Sequence, residues 1–248
     1  MNPGGDQSKN NLKVNPKLVL MRHGESEWNL QNRFTGWTDV NLTNNGENEA
    51  KKAGQLLLDG GFDIHKIYAS FLKRSINTAK ICLKILNKEN LGLVYDWRLN
   101  ERHYGNLQGL NKASTSKKYG DKQVLIWRRS YDVSPPRMKE SDLRHPKNDK
   151  LYKNIDFKNL PCGESLKDTL ERVKPLWINE IIPQIKKGKN LMIVAHGNSL
   201  RAIVKMLKNI SNKEIVKLNI PTGSPYIFEF NNKFELIKDY YLVNEKEI

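Results

Sequence analysis

The sequence predicts an α/β protein, a three-layer α/β/α arrangement in which a mostly parallel sheet is flanked by helices on both faces. Three observations lead there. Two short runs, Leu18-Val19-Leu20-Met21 and Leu191-Met192-Ile193-Val194-Ala195, are continuously apolar rather than alternating, as strands buried on both sides are. Segments with apolar residues at the 3.6-residue helical period alternate with such runs, which is the order of βαβ units. Hydrophobic residues make up 38% of the 248 and charged ones 28%, enough apolar material for a sizeable core.

The first strand is read at Lys17–Met21. After a long polar loop, Ala50, Ala53, Gly54 and Leu57 fall at i, i+3, i+4 and i+7, one face of a helix. Lys66–Ser70 is the next strand, leading into a helix whose Ile76, Ala79, Leu83 and Leu86 share a side, and Leu93–Tyr95 is a third short strand. A long helix from Glu164 to about Lys187 places Leu166, Leu170, Val173, Trp177 and Ile181 on one stripe, with a kink or break expected at Pro175, which lacks an N–H. Strand Asn190–Ala195 precedes a helix with Leu200, Ile203, Val204 and Leu207 on one face, and strands Tyr226–Phe230 and Glu235–Tyr241 close the chain. Residues 17–243 are read as a single domain, 1–16 as a disordered extension and 244–248 as a short tail. The basic, Pro-containing segment at about 111–162 interrupts the alternation as an insertion, and its length makes it either functional or partly helical.

Lys and Arg number 42 against 27 Asp and Glu, a net charge of +15 that predicts an acidic partner without choosing among nucleic acid, membrane surface and small phosphorylated anions. Its distribution is uneven: thirteen basic and six acidic residues lie between Lys112 and Lys158. No basic stretch is interleaved with aromatics, and no apolar run approaches the ~20 residues of a spanning helix, so neither nucleic acid nor membrane is expected as a partner. The N-terminus lacks a signal pattern, and Cys82 and Cys162 have no Cys-x-x-Cys spacing, which predicts reduced thiols in a cytoplasmic protein.

Both apolar runs end in His-Gly, as Arg22-His23-Gly24 and Ala195-His196-Gly197. In a parallel α/β sheet the ligand crevice lies beyond the carboxyl ends of the strands, so both imidazoles are placed to face a ligand. One such histidine is more often a buried structural residue, but two at equivalent strand ends reverse that balance. No metal is expected, since there is no His-Glu-x-x-His, no third ligand is obvious among His65, His103 and His145, and the neighbours are cationic: Arg22, Arg74, Arg128 and Arg129. Guanidinium forks match the oxygens of a phosphoryl group, which a neutral imidazole can attack to form a phosphohistidine. Glu101, in Asn100-Glu101-Arg102-His103-Tyr104-Gly105, supplies a carboxylate for the accompanying proton transfers.

Arg22-His23-Gly24-Glu25-Ser26-Glu27-Trp28-Asn29, Asn32-Arg33-Phe34-Thr35-Gly36-Trp37, Leu72-Lys73-Arg74-Ser75, Asn100 to Gly105, Gly109-Leu110-Asn111-Lys112, Trp127-Arg128-Arg129 and Ala195-His196-Gly197-Asn198-Ser199-Leu200-Arg201 resemble the cofactor-dependent phosphoglycerate mutases of the histidine phosphatase superfamily. Arg-His-Gly alone marks only the superfamily; the combination marks the mutase. The resemblance implies that His23 is phosphorylated by 2,3-bisphosphoglycerate as the priming cofactor. It makes Glu101 the proton donor and acceptor, and has Arg22, Arg74 and His196 hold the transferring group. It implies substrate contacts from Ser26, Asn29, Thr35, Gly36, Arg102, His103, Tyr104, Lys112, Arg128, Arg129, Gly197 and Asn198, with Lys112 to about Arg137 covering the substrate against water.

The implied reaction is the interconversion of 2-phosphoglycerate and 3-phosphoglycerate in glycolysis and gluconeogenesis, with minor bisphosphoglycerate synthase and phosphatase activity, by a homodimer. Many members carry a Lys-rich tail after the last strand, and the shorter Val243–Ile248 predicts more side hydrolysis of the bisphosphate. The competing expectation is a histidine phosphatase that acts on another phosphate ester through the same His23 intermediate.

Overall fold

The computed structural model describes residues 15–243; the extension expected over 1–16, apart from its last two residues, and the tail at 244–248 lie outside the described residues. Six strands form one sheet: β1 (Lys17–Arg22), β2 (Lys66–Ala69), β3 (Val94–Tyr95), β4 (Leu191–Ala195), β5 (Tyr226–Phe230) and β6 (Leu236–Tyr241), in the order β3-β2-β4-β1-β5-β6. The pairs β3/β2, β2/β4 and β4/β1 are parallel, whereas β5 runs antiparallel to both β1 and β6.

The helices are α1 (Glu27–Leu30), α2 (Asn44–Asp59), α3 (Lys73–Ile85), α4 (Lys112–Tyr119), α5 (Asp121–Arg129), α6 (Leu166–Leu176), α7 (Ile182–Lys186) and α8 (Gly197–Lys208). Side chains alternate across a strand, and both faces of this sheet are covered. Leu18, Leu20, Leu191 and Ile193 pack with Val173, Trp177, Ile181, Leu200 and Ile203 on one face, while Val19, Met21, Met192 and Val194 pack with Leu57, Ala79 and Leu83 on the other. The continuous apolar runs are the consequence, and each fully buried aliphatic side chain contributes about 1.5–3 kcal/mol.

The interrupting segment is partly helical. It holds α4 and α5, then turns to irregular chain with short 3₁₀ pieces at Pro146–Asn148, Lys150–Tyr152 and Phe157–Asn159. Helix α1, capped by Ser26, lies in the stretch expected to be loop. Pro175 does not end its helix. Pro175 and Pro183 each remove an N–H from the ladder, and between them a π-turn at Trp177–Ile181 adjusts the phase so that Trp177, Ile181 and Ile185 all stay buried.

The feature that positions the site is the pairing of β1 with β4. Arg22 stands opposite Ala195, so the next residue of each strand, His23 and His196, emerge side by side at the carboxyl edge of the sheet.

Candidate active site

The two imidazoles are buried, 4.9 Å apart between ring centres and roughly perpendicular. The His23 N–H of the backbone extends the sheet ladder to the Ala195 carbonyl at 3.0 Å. Its ring Nδ1 lies 2.6 Å from the Gly24 carbonyl oxygen, an acceptor only, so Nδ1 carries the proton and Nε2 the lone pair. Arg74 Nε donates to that Nε2 at 3.3 Å. Burial, together with the charges of Arg74 and Arg22, holds the His23 pKa well below 6.5, which keeps a neutral, nucleophilic ring.

His196 is wired differently. Its Nε2 lies 2.7 Å from Ser70 Oγ, which already accepts from the Leu72 N–H at 3.2 Å. The Ser70 hydroxyl, with a second lone pair and one proton, can complete that bond in either direction, and His196 Nδ1 is buried with no partner among the described residues. Burial and the charge of Arg74 again lower the pKa well below 6.5. The two rings thus differ in their anchors: a backbone carbonyl at Nδ1 of His23, a serine hydroxyl at Nε2 of His196.

His23 lines a cavity of about 120 Å³ whose walls carry seven cationic side chains and one carboxylate: Arg22, Arg33, Arg74, Lys112, Arg128, Arg129 and Arg201 against Glu101. Arg74 is fixed by donating to the Gly36 and Thr38 carbonyls at 2.8 and 2.9 Å. Arg22 donates to the Ile220 carbonyl through Nη1 at 3.1 Å, while its buried Nε has no partner among the described residues. Burial brings Arg74 and Arg201 down to about 10, and lowers Lys112 and Arg129 as well. Such a set of cations, crowded and poorly compensated, is relieved by a small polyanion.

Glu101 enters from the opposite wall. Its Oε1 accepts the backbone N–H groups of Arg102 at 2.7 Å and Asn198 at 3.1 Å; Oε2 accepts none of the side-chain or backbone hydrogen bonds of the described residues. Asn198 and Asn29 are likewise oriented. Asn198 Oδ1 accepts from Arg201 at 2.8 Å and Asn29 Oδ1 from the Ser26 N–H at 3.1 Å, which commits each amide oxygen and leaves the amide nitrogen as the donor end. No group of three or more His, Cys, Asp or Glu side chains is placed to hold a metal ion among the described residues.

Residues 18–147 and 139–242 match the histidine phosphatase superfamily (branch 1). A Bacteroides thetaiotaomicron protein named 2,3-bisphosphoglycerate-dependent phosphoglycerate mutase 2 is 53% identical over 94% of each chain. Proteins of the same basic name from Parabacteroides distasonis and Elusimicrobium minutum are 52% and 50% identical, over 93% and 94% of each chain. The chain belongs to the histidine phosphatase superfamily, in its phosphoglycerate mutase family. Among solved structures, one described as mycobacterial hydrolase 1 has a TM-score of 0.70 at 24% identity and covers 92% of this chain and 97% of its own. A mycobacterial glucosyl-3-phosphoglycerate phosphatase has a TM-score of 0.67 at 24% identity, over 86% and 92%. Both are likenesses of fold.

Of the residues that the histidine phosphatase resemblance selects, Arg22, His23, Asn29, Thr35, Gly36, Arg74, Glu101, Tyr104, Lys112, Arg128, Arg129, Gly197 and Asn198 line the cavity, with His196 packed behind His23. Three more stand outside its lining. Ser26 is buried as the cap of α1. Arg102 is buried beneath the ring of Tyr104, donating to the Tyr104 hydroxyl at 3.2 Å and to the Arg128 carbonyl at 2.7 Å, so its reach to a ligand is through those two residues. His103 is buried against Trp37, and its Nδ1 accepts from the Gly105 N–H at 3.1 Å.

Arg33, Arg201, Asn219 and Ile220 also line the cavity and were not selected; Arg201 sits one helical turn after Gly197 and Asn198, a spacing that could have found it. The glycines differ too. A Cβ at Gly24 would lie 2.1 Å from the Gly46 carbonyl oxygen, so the group that comes close there is the protein's own backbone at the start of α2.

Proposed function

We propose that the chain interconverts 2-phosphoglycerate and 3-phosphoglycerate through a phosphohistidine at His23, primed by 2,3-bisphosphoglycerate. The observation that carries this reading is the unprotonated His23 Nε2, set by the Gly24 carbonyl at Nδ1, on the wall of a cavity with seven cations. The residues fit a molecule with two anionic ends. Arg22, Arg74 and His196 would hold the reacting phosphoryl group, with an unpartnered donor at Arg22 Nε. Lys112, Arg128 and Arg129 would hold the carboxylate and the second phosphate. When bound, the bisphosphate supplies the phosphoryl group that loads the enzyme.

His23 Nε2 is the nucleophile, already unprotonated because burial keeps the ring neutral. The Arg74 N–H that points at Nε2 can turn to a phosphoryl oxygen as the lone pair is used, and Arg22 and His196 stabilise the charge that spreads over the equatorial oxygens. Glu101 takes the proton from the hydroxyl that receives the group and returns it to the departing oxygen, through the Oε2 left free of hydrogen bonds. Burial and the Glu101 charge would raise the Tyr104 phenol, but the charge and hydrogen bond of Arg102 together with Lys112 outweigh them and lower the pKa, which favours Tyr104 as a donor toward an anion.

A cytoplasmic homodimer with minor bisphosphoglycerate synthase and phosphatase activity completes the reading. Incubation with 2,3-bisphosphoglycerate, followed by intact mass and an acid-lability test, should show one acid-labile phosphate per chain, and 3-phosphoglycerate should then convert to 2-phosphoglycerate. An acid-stable adduct or none would overturn the mechanism; phosphate release without isomerisation would make the chain a phosphatase.

A further inference from the structure

A buried ion pair lies behind the loop that carries Glu101. Arg172 on α6 and Glu164, just before that helix, have side chains only 5% exposed and join as a two-pronged fork, Nε to Oε1 at 2.7 Å and Nη2 to Oε2 at 2.9 Å. Two charges taken out of water return little net stability; an apolar pair of similar volume often does as well. The remaining donors and acceptors of this pair all reach one stretch of backbone. Arg172 Nη1 donates to the carbonyls of Arg98 at 2.7 Å and Asn100 at 3.2 Å, and Nη2 to that of Glu101 at 3.2 Å. Glu164 Oε2 accepts the His103 N–H at 2.8 Å. The Glu101 carbonyl also receives Trp37 Nε1 at 2.6 Å, and the Arg172 guanidinium stands 5.4 Å from the centre of the Trp37 ring.

The backbone is therefore gripped on both sides of a single residue, Glu101, by a pair that does not line the cavity. We propose that Arg172 and Glu164 are positioning residues for Glu101, holding its peptide so that the carboxylate keeps its aim for proton transfer. This rests on the proposed role of Glu101. A fork that releases the Arg98 and Asn100 carbonyls and the His103 N–H lets the loop shift, and a displacement near 1 Å at a catalytic group costs about 100-fold in rate. Arg172→Lys keeps the charge but loses the planar fork.

Arg172→Lys, shown folded by circular dichroism, should lower kcat about 100-fold with KM for 3-phosphoglycerate within about threefold of wild type. In a Glu101→Gln background the same change should cost less than about threefold more, because no proton transfer is left to misplace. Unchanged kcat in folded Arg172→Lys, or the full penalty persisting in the double variant, would overturn the proposal. Should Arg172→Lys fail to fold, Glu164→Gln, which keeps the shape but removes the charge, must give the same pattern. Glu101→Gln alone separates the two levels. Wild-type kcat in that variant defeats the role of Glu101 and this inference with it, whereas a collapse there without any loss in Arg172→Lys defeats positioning only.

Discussion

His23 and His196 end two neighbouring parallel strands, are each followed by glycine, and are both buried with lowered pKa. Their surroundings nevertheless anchor opposite ring nitrogens. The Gly24 carbonyl accepts from His23 Nδ1–H and leaves the Nε2 lone pair toward the cavity; the Ser70 hydroxyl holds His196 at Nε2, behind His23. Under the proposed mechanism, that difference of anchor and place separates a nucleophile from a charge stabiliser. Strand position decides that a histidine faces the ligand, and the second ring nitrogen decides what it does there.

The widest separation between the two should appear in activity. His23→Asn should lower kcat by about 10⁶ and give no phosphorylated adduct, whereas His196→Asn should lower it by about 10²–10³ and still form the adduct, more slowly. Loss of the adduct in both would erase the distinction. The glycines should separate in stability. Gly24→Ala, against the Gly46 backbone, should cost about 3 kcal/mol or more in urea unfolding. Gly197→Ala should cost under about 1 kcal/mol, because its nearest neighbours would lie at an ordinary 3.8 Å, and should instead raise KM. Ser70→Ala, which removes the hydrogen bond that anchors the His196 ring, should lower kcat about tenfold with adduct formation by His23 retained.

In one property the pair should agree. Both pKa values are depressed on folding, so the unfolded chain binds protons that the folded one does not, and stability is full above pH 6.5 and lost as pH falls below it. Replacing either histidine by Asn should flatten that acid slope by the same amount, up to about 1.4 kcal/mol per pH unit, measured by urea titration at pH 7, 6 and 5.5.

The sheet is legible in the sequence wherever both faces are buried, because Leu18–Met21 and Leu191–Ala195 can then be apolar throughout. Strand direction is not. Tyr226–Phe230 is as fully buried as the parallel strand β4, yet β5 runs the other way, which depends on the path of the chain between α8 and β5 rather than on its composition. In the site, the residues that follow strands are legible because position alone puts them at the crevice. Ser70 acts through one hydrogen bond across 126 residues, and Arg172 and Glu164 through loop carbonyls and an amide, so neither role leaves a local pattern. Arg102 and His103 show the converse: adjacency to Glu101 in sequence groups them with the ligand set, whereas the loop turns their side chains into the protein.

The β1/β4 pairing also has a consequence during synthesis. The backbone of Lys17 meets Asn190, 173 residues later, so the strand that ends in His23 is made long before its neighbour. At about 5–20 residues per second, a ribosome needs roughly 10–35 s to produce β4 after β1. Through that interval the four apolar residues Leu18–Met21 have no parallel partner, and His23 has no companion histidine. Competence for catalysis therefore arrives late and all at once, and a nascent chain of this protein is an early client for whatever shields an unpaired strand.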